Sequence, residues 1–269
     1  MNNWFRIAFQ TMKDYYRTTI ILAIFYMGMA AMYCGMFPSF KEVLEDMMAS
    51  GGAEPFSQFF GPAAADMATY VGFLNLELYQ IFWIVILGIL LGFIAASQIS
   101  KDIEGKTIDL LMSNPVSRKQ IVIEKFIGLI PLVLILNFST MLSVMGTTIA
   151  IGEKLNFGNL FLTHLVSIPY LLAVISIGIL LSVLIDEKMK ASIFFIALFM
   201  GMYVLESISK IIPDFESLGY VSITHYFNPY DSLKFGEVNA VNIIILTVIF
   251  LEVLLFAMLY FEKRDIKIS

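Results

Sequence analysis

The residues with the clearest capacity for specific chemistry lie in one charged run, residues 104–118, whose sequence is EGKTIDLLMSNPVSR. A long apolar segment lies on each side of this run. Its carboxylates and basic groups favour ion pairs and hydrogen bonds with another protein. Arg118 and Lys119 offer cationic contacts, and Glu104 offers an acceptor for a basic group of a partner. A chain that only had to lie in lipid would not need this run.

Two further carboxylates interrupt apolar segments: Glu206 lies within residues 191–212, and Glu252 lies within residues 238–261. Ionisable groups inside membrane spans are costly and are therefore functional candidates. Lys210 follows Glu206 at helical spacing, so an ion pair is the simpler interpretation of Glu206. Glu252 has no such neighbour, and we expect it to face either a subunit interface or a polar cavity. Both carboxylates are candidates for a substrate path.

Small and polar residues mark three other positions inside apolar segments. Asn137 is a polar candidate for the substrate path, and it lies where the third span is expected to kink. Gly88 and Gly92 form a GxxxG pattern, which allows another helix to approach closely. Packing within the chain is the favoured use of this pattern, and dimerisation is the alternative.

Sequence motifs for catalysis and metal binding are missing. The chain has no G-x-x-x-x-G-K-[ST] phosphate loop, no G-x-S-x-G elbow and no H-E-x-x-H motif. His164 and His225 lie far apart and lack His, Cys or carboxylate neighbours at metal-ligand spacing. The sequence therefore predicts no metal site, no catalytic residue and no cofactor bound by this chain, which is not expected to hydrolyse ATP by itself.

The elements that must position these residues are membrane helices. The chain is 59% hydrophobic and 14% charged, with mean hydropathy +0.83, and is too apolar for a soluble domain. Apolar runs without charge each exceed the roughly 20 residues that cross a bilayer. They lie at residues 18–40, 78–100, 126–152 and 155–185. With the segments that carry Glu206 and Glu252, the sequence predicts six transmembrane helices in one all-α domain, residues 1–269.

The distribution of basic residues predicts the orientation of these helices. Three lie in residues 1–17, five in 101–125, two in 186–190 and three in 262–269, which is 13 of the 17 in the chain. By the positive-inside rule, both termini are expected in the cytoplasm. The opposite loops are acidic, in line with the net charge of −5, and this charge argues against nucleic acid as a partner.

Local patterns predict the helices that border the cytoplasm. Residues 3–17 carry an apolar face at helical spacing and predict an amphipathic helix in the membrane plane, with a generic juxtamembrane anchor as the alternative. Residues 102–112 predict a second amphipathic helix, which the proline after Asn114 ends. Ser117 then caps a helix that continues into the third span. Residues 101–120 therefore predict a helix, a proline corner and a second helix.

Two long connections are expected on the opposite side. Residues 38–77 contain Gly51, Gly52 and Pro55, which separate two helix-permissive pieces. Residues 213–237 are rich in aromatic side chains and are broken by glycine and proline. This composition favours short re-entrant or interfacial helices over free coil.

The order of residue types in residues 104–118 resembles the signature of ABC-2 type transporter permeases. That signature has an acidic residue, a Gly/Thr pair, a Leu-Leu doublet and then Pro-[Val/Ile]-Ser-Arg. The matching positions are Glu104, Gly105, Thr107, Leu110, Leu111, Pro115, Ser117 and Arg118. Residues 261–266 also look like this family, and residues 3–17 look like its elbow helix. The resemblance implies that the eight matching positions couple the chain to an ATPase.

The resemblance implies the permease subunit of an ATP-driven ABC exporter in a prokaryotic plasma membrane. Two separate cytoplasmic ATPase subunits would bind ATP and Mg²⁺, and a second permease chain, identical or homologous, would complete the complex. The few charges, the aromatic side chains and the 16 methionines favour a hydrophobic or amphipathic cargo. The resemblance to compact ABC-2 permeases implies that this cargo is an antimicrobial or toxin peptide or a drug-like molecule. Alternatives are an ABC-2 exporter of lipid or ions, a stand-alone carrier or membrane enzyme, and a structural or signalling subunit.

Overall fold

A computed structural model describes residues 5–51, 66–108 and 116–264 of the chain. Within these ranges the chain is almost entirely helical and contains no strand. Six helices of the described residues are long and apolar enough to cross a membrane. They are Arg6–Ala49, Tyr70–Glu104, Arg118–Ile151, Phe157–Leu184, Lys188–Ile211 and Ala240–Lys263, called here the first to sixth spans. The prediction of an all-helical protein with six membrane spans is confirmed.

The first span is one helix of 44 residues, about 66 Å long at 1.5 Å per residue. The separate amphipathic helix that the sequence predicts at residues 3–17 is not present as a separate element. Its described part continues without a break into the span. No glycine or proline interrupts residues 6–27, so nothing in the sequence ends the helix there. Since the helix is about twice as long as the roughly 30 Å hydrocarbon core, it must project beyond it.

The predicted connection at residues 38–77 is largely helical where it is described. Pro38 lies inside the first span and does not end it, because membrane helices tolerate the loss of one backbone hydrogen bond. The second span already begins at Tyr70, where the Thr69 hydroxyl accepts a hydrogen bond from the Gly72 amide at 3.1 Å. Glu77 therefore belongs to a span and not to a loop. Residues 52–65, including Pro55, lie outside the described residues.

The second span changes its winding along its length. Tyr70–Leu74 is α-helical, the 13 residues Asn75–Leu87 form a π-helix, and Gly88–Ala96 is α-helical again. A short helix, Ser100–Glu104, ends the span. π-Helices are rare and usually limited to a single turn, and they occur frequently at functional sites. The long π-helical stretch is thus an unusual feature of this bundle.

Side-chain caps fix where later spans begin. The Ser117 hydroxyl accepts a hydrogen bond from the Gln120 amide at 3.2 Å and starts the third span at the position that the sequence predicts. Asn156 and Asn239 cap the fourth and sixth spans in the same way. The third span ends at Gly152, whose φ of 75° is left-handed and suits glycine.

The second, third and fourth spans form the centre of the bundle, and the other three spans pack around them. Most of the apolar window of the second, third and fourth spans is buried, whereas the sixth span buries only 17% of its window. The first span packs mainly on the third, the sixth mainly on the fourth, and the fifth on both the second and the fourth. One large apolar core joins these elements. The fold therefore leaves the outer faces of the first, fifth and sixth spans open.

Short helices connect the fifth and sixth spans. Two 3₁₀ segments, Pro213–Val221 and Ile223–Tyr226, are followed by the α-helix Pro229–Phe235. The sequence predicts short helices in this connection, and the structure contains them. Their depth relative to a membrane stays a prediction.

Candidate functional site

The candidate site is the end of the bundle that carries the matching motif. It is called here the basic end and comprises residues 6–17, 97–108, 116–125, 183–190 and 261–264. The other end is called the acidic end. Polar contacts at the basic end connect all six spans, and each contact joins residues that are distant in sequence.

Glu124 connects the third span to the first. Its side chain is fully buried, and its Oε2 accepts hydrogen bonds from the Ile7 and Ala8 amides at 2.8 and 3.2 Å. The Gln120 side chain donates to Oε1 at 2.6 Å. The amides at a helix start lack intrahelical acceptors, and the helix dipole favours negative charge there. Phe5, which precedes the helix, supplies no side-chain cap. A carboxylate of the third span therefore caps the first.

Lys125 connects the third span to the second. Its Nζ lies 2.7 Å from Oδ2 of Asp102, and the two side chains are only 7% and 15% exposed. A buried ion pair costs desolvation, but removing one partner leaves an uncompensated charge and costs more. The pair therefore fixes how these two spans meet. In the sequence, Lys125 counts only among the basic residues at 101–125, and no pattern there shows that the Glu124 and Lys125 side chains are buried.

The second span is also joined to the fourth and the first. The Ser182 hydroxyl accepts hydrogen bonds from the Ile99 and Ser100 amides at 2.6 and 2.9 Å, which bridges the break between the helical pieces. The Gln98 side chain donates to the Tyr15 hydroxyl at 2.9 Å. Three spans thus meet at the point where the second span ends.

Glu104 contacts the fifth span. Its Oε2 accepts a hydrogen bond from the Lys188 amide at 3.0 Å, and so it caps a helix whose preceding residue, Glu187, offers no side-chain cap. The Lys188 amide therefore competes with the predicted basic group of a partner protein for the Glu104 carboxylate. Glu104 remains exposed, and its partner contact stays a prediction.

Arg118 contacts the sixth span. Its guanidinium donates to the carbonyls of Arg264 and Phe261 and lies 5.8 Å from the centre of the Phe261 ring. These carbonyls end the helix, where cations are favoured by the helix dipole. Beside it, Lys119 pairs with Glu262 at 2.8 Å between exposed side chains. Arg118, expected to meet a partner, thus holds the last turn of its own chain.

Arg264 connects the sixth span to the fourth. Its Nη2 lies 2.8 Å from Oδ1 of Asp186, and its Nη1 donates to the Val183 carbonyl at the end of the fourth span. Together with the contacts of Arg118, this closes a continuous polar network around the basic end. From the sequence, Arg264 is expected in a basic tail that looks like this family, and its contacts with the fourth span are not predicted.

The predicted amphipathic helix at residues 102–112 is interrupted. The helix ends at Glu104, and Lys106 adopts a left-handed conformation with φ of 52°. The Thr107 amide donates to the Asp102 carbonyl at 2.9 Å and the Lys106 amide to the Ile103 carbonyl at 3.0 Å, which is the pattern of a Schellman motif. Gly105, a weak helix former, stands where the helix ends. Leu110, Leu111 and Pro115 lie outside the described residues, and so does the predicted proline corner.

Asn137 belongs to a buried cluster in the middle of the bundle. Its Oδ1 lies 2.6 Å from His164 Nδ1, and its Nδ2 donates to the His164 carbonyl at 2.8 Å. His164 Nε2 lies 3.0 Å from the Tyr79 hydroxyl, and Ser167 donates to Asn137 at 3.3 Å. Asn137 and His164 are fully buried. The cluster joins the second, third and fourth spans, and it does not line an open path through this chain.

The two intramembrane carboxylates have different surroundings. Glu206 is buried, and Lys210 and His225 approach it at 3.1 and 2.9 Å. The contact with Lys210 is the one that the sequence favours. The contact with His225 joins Glu206 to the 3₁₀ segment Ile223–Tyr226 and is not predicted from the sequence. Glu252 lies exposed on the outer face of the sixth span, without an ion pair or hydrogen bond to any described residue. A polar cavity inside this chain therefore does not surround Glu252.

The two glycines of the GxxxG pattern face the fifth span. A Cβ at Gly92 would overlap the Phe195 ring, and one at Gly88 would lie 2.6 Å from the Phe199 ring. The structure thus brings both glycines into contact with aromatic rings of the same chain. In the described part of the chain, no group of three or more His, Cys, Asp or Glu residues is arranged to hold a metal ion.

Comparison with known families identifies the chain. The sequence profile described as ABC-2 family transporter protein matches residues 10–266, which is nearly the whole chain. The chain belongs to the ABC-2 transporter family. Among curated proteins, none matches it significantly in sequence. As an ABC-2 permease it is a multipass transmembrane component that has no ATPase site of its own and works with ABC ATPase subunits.

Proposed function

We propose that this ABC-2 permease exports a hydrophobic or amphipathic molecule from a prokaryotic cell. In this proposal the basic end faces the cytoplasm, where two ATPase subunits bind ATP and Mg²⁺ and press on residues 104–118. A second permease chain, identical or homologous, completes the translocation path. The single observation that carries the proposal is the polar network that joins all six spans next to this segment.

The network supports a role in transmitting movement, because hydrogen bonds join each span to a neighbouring span. Arg118 begins the third span and holds the last turn of the sixth, while Glu104 ends the second span and caps the fifth. Glu124 ties the first span to the same helix. A displacement of residues 104–118 would therefore reach every span through hydrogen-bonded groups. Such rigid-body transmission is a common way to convert an ATPase movement into a change of access.

The open faces support a second permease chain. The sixth span is mostly exposed, and Glu252 lies close to its midpoint, 12 residues after its first residue, Ala240. A lone carboxylate facing hydrocarbon is costly. Burial of this face against a homologous chain would remove that cost. A hydrophobic or amphipathic cargo fits a chain with 14% aromatic residues and 16 methionines better than a sugar does.

The test is to purify the chain with its cognate ATPase and to reconstitute the complex in vesicles. Scrambling residues 104–118 is expected to abolish ATPase binding. Changing Arg118 to Gln is expected to retain binding and ATP hydrolysis but to lower transport per ATP hydrolysed, and Lys119→Gln is the exposed control. ATPase binding that survives the scrambling would contradict the coupling role. Active transport by the chain without any ATPase would favour the stand-alone carrier.

A further inference from the structure

A cavity at the acidic end lies between the far part of the first span and the start of the second. Its volume is about 290 Å³. Three methionines, three aromatic rings and two leucines form its wall, and Glu77 is the one carboxylate among them. Ligand pockets in proteins have this character, since they are mostly apolar with a few polar groups that orient the ligand.

Two apolar clusters contribute residues to the cavity wall. Met67 and Leu76 are buried in a small cluster, against which Leu44 and Met47 pack. Phe73 belongs to the main core, and Leu44 packs against that core as well. The cavity is therefore lined by residues of both clusters. The π-helical stretch that begins at Asn75 carries Leu76 and Glu77 into this wall.

Glu77 is unusual because its charge is not compensated within the described structure. It is half-buried, and none of the described residues forms a hydrogen bond or an ion pair with it. Among the described residues that line the cavity, none is basic. A carboxylate in an apolar wall is costly unless a positive charge lies next to it. A cation beside Glu77 would remove that cost.

We propose that this cavity binds a hydrophobic organic cation, whose positive centre pairs with Glu77 and whose apolar body lies against the methionines and rings. Attraction between opposite charges is strong where water is scarce. Aromatic faces such as those of Tyr33 and Phe40 also attract cations. Methionine side chains adapt to ligands of different shape.

The wall discriminates against other ligand classes. A hard metal ion such as Mg²⁺ or Ca²⁺ requires several oxygen donors, and the described side chains of the wall supply only the Glu77 carboxylate and the Tyr33 hydroxyl. An anion would be repelled by Glu77. A neutral lipid tail would fit the apolar wall but would leave the carboxylate without a partner. The binding of a cation is inferred from the residues that line the cavity. That the bound cation is a transported cargo rests on the proposed export function.

The binding test uses two ions of nearly equal size and opposite charge, tetraphenylphosphonium and tetraphenylborate. The complex is placed in nanodiscs of neutral phospholipid, and binding is measured by equilibrium dialysis. Saturable binding of the phosphonium and its absence for the borate are expected. Glu77→Gln should weaken phosphonium binding at least about tenfold. Glu45→Gln is the matched control. Glu45 is an exposed carboxylate next to Leu44 on the part of the first helix that borders the cavity, but it does not line the cavity itself.

A second variant guards against a folding defect of Glu77→Gln. Leu44→Trp places a larger side chain at the rim and is expected to block binding while the thermal unfolding midpoint stays near that of the parent. Equal binding of both ions, or phosphonium binding that neither variant changes, would overturn the site. Glu77-dependent binding without ATP-driven movement of the cation would retain the site and contradict its use for cargo. If the complex exports a neutral amphiphile but does not bind the phosphonium, the cation-binding site is contradicted and the proposed export function is retained.

Discussion

The Glu124 carboxylate lies 2.8 Å from the Ile7 amide, although the two residues are 117 positions apart in the chain. Its Oε2 also accepts from the next amide, that of Ala8. A helix usually receives such caps from residues just before its start. Here the cap comes from another span, so the position of the first helix depends on the third.

Changing Glu124 to Gln is expected to lower the stability of the purified chain. The amide retains the shape of the side chain but loses the negative charge that the two helix-start amides meet, and hydrogen bonds to charged groups contribute about 1.5–3 kcal/mol. We expect a loss of about 2 kcal/mol, measured by thermal unfolding in detergent. Glu262→Gln is the control, since Glu262 pairs with Lys119 on the surface and such pairs contribute about 1 kcal/mol or less. Equal midpoints for the two variants would contradict the capping role.

The ion pair between Asp102 and Lys125 provides a second prediction. Asp102→Asn leaves the Lys125 ammonium buried without its counter-charge, which is expected to cost about 3 kcal/mol. Replacing both residues, as Asp102→Leu with Lys125→Met, removes both charges and should restore most of that loss. A double-mutant cycle of unfolding free energies measures the coupling. The cycle also needs the single variants Asp102→Leu and Lys125→Met. If the double variant is less stable than the parent by the sum of the losses of these two single variants, the two side chains are not coupled.

Local features of this chain were predictable, whereas long-range contacts were not. Apolar length predicts the six spans, and the Ser117 cap follows from residues three positions apart. Glu124 meets Ile7, and Glu206 meets His225, through folding of distant segments, which leaves no periodic pattern in the sequence.

Long-range contacts of the motif at residues 104–118 were likewise not predictable from the sequence. Family resemblance assigns Glu104 and Arg118 to a partner, because a sequence shows that a side chain is charged but not which carbonyl or amide it reaches. In the structure the Glu104 side chain caps the start of the fifth span and the Arg118 side chain binds the last turn of the sixth, so both contact helices of their own chain. The continuous first helix was missed because the change from polar to apolar residues near position 17 suggests a boundary, yet no helix breaker lies there.

The contact between Asp66 and Lys234 predicts a dependence of stability on acid. Burial by itself raises the pKa of the Asp66 carboxyl, but hydrogen bonds from Lys234 and Tyr230 outweigh it and lower the pKa below its ordinary value. A lowered folded-state pKa adds stability that is present above the unfolded pKa of about 3.9 and is lost as pH falls through the folded pKa. The unfolding midpoint should therefore differ between the parent and Asp66→Asn near neutral pH. The difference should shrink below about pH 4, and one that persists there would contradict the assignment.

Glycine contacts predict unequal effects of the same substitution. Gly92→Ala places a methyl group into the Phe195 ring, and overpacking of this kind costs about 1–3 kcal/mol. Gly28→Ala is the control, because nothing lies within 4 Å of its added methyl group. Alanine is also the better helix former, so Gly28→Ala should be neutral or stabilising. Thermal unfolding of both variants in the same detergent measures the contrast, and equal destabilisation would be inconsistent with the observed packing.

The cluster around Asn137 predicts a moderate loss of stability. Asn137→Leu removes the partner of His164 Nδ1 and of the His164 carbonyl. Hydrogen bonds between membrane helices contribute about 0.6 kcal/mol on average, so two lost bonds should cost about 1–2 kcal/mol. Ser139→Ala is the control, since the Ser139 hydroxyl bonds only to its own helix. An unchanged midpoint for Asn137→Leu would show that the cluster does not stabilise the bundle.

The cap that Glu124 gives to the first helix also has a consequence for biogenesis. The ribosome makes Ile7 and Ala8 before Glu124, which accepts their hydrogen bonds and follows them by 117 and 116 positions. Until then the newly inserted first span has no polar attachment to Glu124. The cap of its first turn is therefore complete only after Glu124 of the third span has been made, whereas its contact with the second span, from Gln98 to the Tyr15 hydroxyl, can form earlier.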